Sequence, residues 1–218
     1  VGSKQRRERE RQEMRQAILR AARDIAAREG WQEVTIRKIA EAIEYTPPII
    51  YEYFTSKEAL LLELLREGFW QLLQIIQTIK ARGGSPESVL RQVALAYWHF
   101  AFTSPELYQV MHGLGGVPFG TSETPPEARN AFAAVRETVR AALEAHGVQR
   151  PDLDGDVDIL WSTLHGLISL TMAGRIAGGK PRAASLVERA VHDLLAAWEI
   201  EEREAPGSRH QLEDRHSS

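Results

Sequence analysis

No cysteine occurs among the 218 residues of this chain. Disulfides, thiol nucleophiles and zinc sites built on cysteine are excluded at once. Long hydrophobic runs are missing too. Glu, Gln or Gly interrupts each apolar stretch well before the ~18 residues that a membrane span needs. No segment alternates apolar and polar residues in the manner of a strand, and no internal repeat is present. The chain begins Val1-Gly2-Ser3 with no basic-then-apolar leader, so the expectation is a cytoplasmic protein with no membrane association. What is present suits a folded protein. Hydrophobic residues make up 43% and charged residues 26%, enough apolar mass for one large domain or two small ones.

Charge is unevenly spread. Residues 1–57 carry 12 Lys+Arg against 9 Asp+Glu, and the rest carry 15 against 21. A basic end on an acidic body suits contact with a polyanion, and equally suits a helix laced with i,i+4 ion pairs. Residues 1–9 mix Lys4, Arg6, Arg7 and Arg9 with Glu8. They read as a flexible, solvated arm.

The remainder reads as helices. Met14, Ile18, Ala21, Ala22 and Ile25 repeat at helical spacing before a stop at Gly30. Thr35 caps a short helix with Ile36, Ile39, Ala40 and Ile43 on its inner face. Thr46 followed by Pro47 opens another, since a cap residue with proline behind it is a start signal. Thr55 or Ser56 caps the next, with Thr55 and Glu58 spaced as a capping box. From about Lys57 to Arg82 the apolar residues cover most of the circumference, as in a helix buried on several sides. Further helices are expected over 86–103, 105–112, 125–146, 154–177 and 181–201. Residues 113–124 read as a glycine-rich loop and 202–218 as a disordered tail.

Two short helices joined by about three residues, spanning Thr35 to Phe54, form a helix-turn-helix. The second is too short to fold alone and must pack Ile50, Tyr53 or Phe54 on its neighbours. Side chains near its start can then enter a major groove. The run Val34-Thr35-Ile36-Arg37-Lys38-Ile39-Ala40, then Ile50-Tyr51-Glu52-Tyr53-Phe54 and Ser56-Lys57-Glu58-Ala59-Leu60, closely resembles the N-terminal domain of TetR-family transcriptional regulators. Trp161-Ser162-Thr163-Leu164-His165-Gly166 is similar, more weakly, to a Trp…His-Gly motif of one C-terminal subgroup.

The resemblance implies an all-α protein. A three-helix DNA-binding head would occupy residues 10–56, and a larger helical effector-binding and dimerisation domain residues 57–201. It implies a homodimer that reads a palindromic operator on double-stranded DNA and lets go when a small organic effector binds. By position, Arg37 would reach a base edge or phosphate and Thr35 a phosphate. Thr46 opens the recognition helix, which carries Pro47, Pro48, Ile49, Tyr51 and Glu52, while Tyr53 and Lys57 hold the backbone. The chemistry agrees: Arg37 can grip guanine O6 and N7, and proline rings can touch thymine methyls. Tyr53 is as readily a core residue, and Phe54 is more readily core than contact. Two features depart from the family pattern. Glu44 stands where the turn usually carries glycine, and the recognition helix holds no Lys or Arg.

In the C-terminal part, Trp98, Phe102, Tyr108, Met111, His112, Trp161, His165 and Met172 are the candidate effector-pocket residues, with loop 113–124 as a gate. Apolar burial would supply affinity and a few polar groups orientation. Apolar stripes on the last two helices, including Ile159, Thr163, Gly166 and Leu170 on one and Leu186 to Trp198 on the other, would form a four-helix dimer seam. Asp152, Asp154, Asp156 and Asp158 around Gly155 have calcium-loop chemistry but the wrong spacing, and fit a helix N-terminus better. Asp158, Ser162 and His165 lie on one helix and cannot converge as a triad. No enzyme, metal or cofactor is therefore expected. The rival reading is a helical small-molecule binding or interaction module that does not touch DNA.

Overall fold

Proline and hydroxyl residues set where the helices begin. The computed structural model describes residues 2–113 and 119–204. Among them are nine α-helices, one short 3-10 turn and no strand. The helices are α1 (Gly2–Glu29), α2 (Ile36–Ala42), α3 (Pro47–Tyr53), α4 (Lys57–Arg82), α5 (Pro86–Thr103), α6 (Pro105–Gly113), α7 (Pro126–Ala145), α8 (Leu153–Met172) and α9 (Gly179–Glu204). The 3-10 turn is Trp31–Glu33. Four of the nine start on a proline, whose fixed φ suits the first helical position and whose missing N–H is not needed there.

The caps refine the sequence reading. Thr35 caps α2, its side chain accepting from Lys38 N at 3.2 Å. At α4 the cap is Ser56, whose Oγ accepts from Ala59 N at 3.1 Å. The expected Thr55–Glu58 box is therefore replaced by a Ser56 cap one residue later. Residues 2–9, expected as a flexible arm, instead continue α1 as helix from Gly2. The tail from 205 on, and residues 114–118 of the expected gate, lie outside the described residues.

Three helices end alike. After α7, Gly147 N bonds Glu144 O and Val148 N bonds Leu143 O. After α8, Gly174 N bonds Thr171 O and Arg175 N bonds Leu170 O. After α2, Glu44 N bonds Glu41 O and Tyr45 N bonds Ala40 O. This is the Schellman arrangement, which needs a left-handed residue just past the helix. Gly147 and Gly174 supply it at φ 73° and 67°, whereas the α2 turn uses Glu44 at φ 61°.

The chain divides into two compact units. One comprises residues up to Trp70 together with Thr103–Ala128. In it α1 packs on the 3-10 turn, α2 and α6, and α2 packs on α3. Ile18, Ala22, Ile39, Ile50, Leu64 and Leu107 are buried in its core. The other comprises Gln71–Phe102 and the residues from Arg129 on. There α8 pairs with α9, over a core that includes Leu90, Val139, Leu160, Ile168, Val187 and Trp198. The division falls within α4 rather than at its start, and α6 belongs with the head.

A left-handed non-glycine residue carries a steric penalty of roughly 1 kcal/mol. Glu44→Gly should therefore raise stability by up to about 1 kcal/mol, less whatever glycine adds to the disorder of the unfolded chain. Gly147→Glu should lower it by about 1 kcal/mol, because a Cβ there meets no neighbour and the cost is conformational. Urea unfolding of both variants checks the pair.

Candidate nucleic-acid interface

The head builds one exposed face from α2, α3 and the turn between them. Arg37 stands on it, fully solvated apart from an i,i+4 pair with Glu41 at 3.4 Å. Such an exposed pair is worth little, so the guanidinium is available at small cost. Lys38, one residue on, is not available. Its Nζ lies 2.8 Å from Glu29 and 2.7 Å from Glu33, binding the start of α2 to the end of α1 and the 3-10 turn. Hydrogen bonds to Glu29 and then Glu33 hold the ammonium above its ordinary pKa.

α3 is seven residues long and relies on two anchors. Ile50 is fully buried and Phe54 nearly so. Phe54 is therefore core, as its apolar character suggested. Arg15 of α1 secures the helix end. Its Nη1 donates to the Tyr53 carbonyl at 3.0 Å, its Nη2 lies 3.1 Å from Glu63 of α4, and its guanidinium sits 4.3 Å from the Phe54 ring centroid. Nothing in the local pattern of α1 marks Arg15 for this work.

With the fold held from beneath, the outer side of α3 is free. Pro47, Pro48, Tyr51 and Glu52 are exposed, while Ile49 and Tyr53 are half-buried. Tyr51 is 55% exposed, and Tyr45, in the turn, 47%. The sequence reading missed Tyr45. Its position just past the left-handed turn residue, beside the opening of α3, is the signal that could have found it.

Thr46 is the cap residue of α3, yet its side chain makes no cap hydrogen bond. The reason is chemical. Pro47 and Pro48 have no N–H to offer, and the N–H of Ile49 bonds the Thr46 carbonyl at 3.0 Å. The exposed hydroxyl is left for an outside partner. The same prolines remove amide donors with which a helix start grips phosphate, and present apolar rings at the tip of α3. Thr35 and Tyr51 are exposed, and Lys57 is half-buried at the start of α4.

The candidate effector residues fall in both units. Tyr108, Met111 and His112 lie on α6 in the unit of the head. Tyr108 and His112 have ring centroids 4.7 Å apart, and His112 meets Phe69 edge-on at 6.3 Å. Met111 fills the space above Gly68, where a Cβ would come within 2.5 Å of its sulfur. Trp98, Phe102, Trp161, His165 and Met172 lie in the other unit. The Trp98 and Phe102 rings meet at a tilt of 50° with centroids 4.5 Å apart, and those of Trp161 and Tyr97 at 43° and 4.9 Å. Leu72, Ile76, Val93, Tyr97, Trp161 and Leu164 help to enclose a wholly apolar cavity of about 20 Å³, room for a single water. Of the expected pocket residues only Trp161 lines it, joined by Tyr97. His165 stands 3.3 Å from Ser169 Oγ, and burial lowers its pKa.

The acidic cluster before α8 serves the helix start and ion pairs. Asp152 accepts from Gly155 N at 3.0 Å, Asp154 pairs with Arg136, and Asp156 holds Arg150 at 2.8 Å.

Known proteins share both parts. Residues 18–64 match the family model for bacterial regulatory proteins of the tetR family. Residues 90–194 match the model for the tetracyclin repressor-like C-terminal domain. The chain belongs to the TetR family of transcriptional regulators, which bind DNA through the helix-turn-helix and are not enzymes. The HTH-type transcriptional regulator Rv0681 of Mycobacterium tuberculosis is 27% identical over 165 residues, 73% of this chain and 71% of that one. The HTH-type transcriptional repressor AcnR of Corynebacterium diphtheriae is 27% identical over 187 residues, 81% and 90% of the two chains. The fold is shared with RolR in complex with resorcinol, at a TM-score of 0.63 and 17% identity over 91% of this chain and 96% of that one.

Anchor and contact residues should separate on mutation. Phe54→Ala should destabilise the head by ~3–5 kcal/mol through the cavity it leaves. Tyr51→Phe should leave thermal unfolding unchanged and weaken DNA binding by about 1 kcal/mol, the worth of one hydrogen bond. Calorimetry and fluorescence anisotropy on a labelled duplex distinguish the two.

Proposed function

We propose that this regulator is a cytoplasmic repressor that binds an inverted-repeat operator as a homodimer and leaves it when a small apolar or aromatic effector binds. The observation that carries the reading is the exposed face of Arg37, Thr46, Pro47, Pro48 and Tyr51, held up by the buried Ile50 and Phe54. Thr35, Lys57 and the half-buried Tyr53 would add backbone contacts. Glu52 would accept from cytosine N4 or steer the helix away from phosphate. AcnR is a repressor by its name, which supports repression here.

Two protomers are needed for a palindrome. On α8 Ile159 and Leu170 are exposed, and so is Ile200 on α9. The stripe on α9 is only partly free, because Val187, Val191, Leu195 and Trp198 are spent on the core of their own unit. Leu186, Ala190 and Leu194 stay half-buried and would complete a seam with the α8 residues.

The effector site we favour is the apolar cavity beside Tyr97 and Trp161. RolR holds resorcinol, a small aromatic molecule, which supports a ligand of that class. A ligand must enlarge the cavity, and α4, which contributes Leu72 and Ile76 to its wall, continues into the head. A preference of ~1–3 kcal/mol for the ligand in the released state suffices for control.

Selection of genomic fragments by the purified protein, followed by footprinting, should return an inverted repeat that takes up two protomers. Arg37→Ala should cost ~1–3 kcal/mol at that site and relax one base position in each half. Unaltered selectivity would remove Arg37 from base reading. Small aromatic compounds should quench tryptophan fluorescence and release the duplex together, and Tyr97→Ala should weaken both by about tenfold or more. A metal ion that releases the duplex with no organic ligand would refute the cavity.

A further inference from the structure

The first three turns of α1 bury nothing. Residues 2–13 are exposed throughout, and the first buried residue of the helix is Ile18. An isolated helix of that length is marginal in water, so this stretch gains no stability from the core. Its charges are sorted by face. Lys4, Arg7, Arg11 and Arg15 follow one another at spacings of three, four and four residues and so share one stripe. Arg6 and Arg9 point to the opposite side, where Arg6 pairs with Glu10 at 3.3 Å. Glu8, at the edge of the stripe, accepts from Gln12 at 3.1 Å.

The stripe starts from the recognition helix. Arg15 is bonded to the end of α3 through the Tyr53 carbonyl. One turn earlier, the Arg11 guanidinium lies 5.9 Å from the Tyr53 ring centroid. Arg7, Arg11 and Met14 then form one wall of an open groove whose other wall is Glu52 and Tyr53 of α3. Glu10 and Glu52 border this groove, yet no ion pair is formed by Arg7 or Arg11 among the described residues. Two guanidinium groups without a carboxylate partner among the described residues therefore border α3, a recognition helix that has no Lys or Arg of its own and no amide donors at its start.

We infer that Lys4, Arg7 and Arg11 form a DNA-backbone rail, with Arg7 and Arg11 gripping phosphates next to the bases faced by α3. The inference rests on the DNA-bound homodimer proposed above. The rail adds charged contacts to the sequence-independent part of binding, for which α3 has no Lys or Arg. It explains why a basic, exposed helix extends where no core is available to it.

The salt dependence of binding tests this on the full-length protein. Each phosphate contact contributes about 0.9 to the slope of log K against log salt. Arg7→Gln/Arg11→Gln removes four contacts from a dimer, so the slope should become shallower by about 3 to 4. Affinity for the operator and for an unrelated duplex should fall by the same factor, leaving their ratio unchanged. Arg37→Ala should instead reduce the ratio. Arg6→Gln/Arg9→Gln takes the same charge from the opposite side and should leave the slope nearly as it was. An unaltered slope in the Arg7/Arg11 variant, or an equal loss in the Arg6/Arg9 variant, would overturn the rail and leave the operator reading standing. Failure of the parent protein to bind any duplex would overturn both. All four positions are exposed, and circular dichroism confirms that the variants stay folded.

Discussion

One guanidinium holds the head together. Arg23 of α1 reaches Glu67 of α4 at 2.9 Å and Glu106 of α6 at 2.7 Å. The Trp31 indole donates to the Glu106 carbonyl at 3.0 Å, fixing the same residue by its main chain. Glu106 is nearly buried. A carboxylate in that position is tolerated only while its cation is present, and removal of one partner from such a pair costs far more than the pair itself gains. The consequence is geometric. α6 cannot leave α1 without stranding a charge, so it behaves as part of the reading head although the chain enters it from α5. The stacking of Tyr108 and His112 and the fit of Met111 over Gly68 then follow, since both need α6 seated where Arg23 holds it.

A second constraint is the brevity of α3. Seven residues cannot sustain a helix by backbone bonds alone. Ile50 and Phe54 carry the packing from below, Arg15 closes the far end, and Pro47 and Pro48 fix φ at the near end. Of these, only Pro47 and Pro48 also stand on the outer side. The exposed Tyr51 and Glu52 therefore carry little of the folding of α3. Glu44 belongs to the same economy. The turn geometry comes from two hydrogen bonds to α2 rather than from an unstrained residue, so a glutamate is accepted at φ 61°.

Features set by neighbours in sequence were legible without coordinates. The starts of α3, α5 and α6 follow from prolines, the cap of α2 from Thr35, and the burial of Ile50 and Phe54 from the shortness of their helix. The helical class and the family follow from the same local signals. Features that depend on distant partners were not legible. Lys38 and Arg37 are adjacent cations, yet only the acids at positions 29 and 33 take one out of use. Arg15 looks like any charge on α1 until α3 and α4 close around it. The aromatic residues of α5, α6 and α8 are alike in type, and only packing assigns Tyr108 and His112 to one unit and Trp98 and Trp161 to the other. Residues 2–9 lack an apolar stripe, the usual sign of a folded helix, so their helical state was hidden for a different reason: they continue α1 without burying anything.

The small size of the apolar cavity bears on control. A space of about 20 Å³ cannot admit an aromatic ring, so an effector at the proposed site would exclude this arrangement of side chains. Exclusion of that kind is what a switch needs. A ligand that fitted the present cavity would bind equally with DNA held or released and would shift nothing, however tightly it bound. A ligand that must displace Leu72 and Ile76 binds only the altered state, and its affinity is reduced by the cost of reaching that state. Packed interiors resist gradual deformation, and α4 is a single helix from Lys57 to Arg82. Under the proposed function, displacement at its cavity-lining residues would not be absorbed locally. It would run along the helix toward Leu60, Leu64 and Leu65, which are fully buried in the head, and toward Glu67, which Arg23 ties to α1. On this reading the small cavity belongs to the DNA-competent state, and the energy needed to enlarge it is the same energy that sets how strongly effector and operator oppose each other.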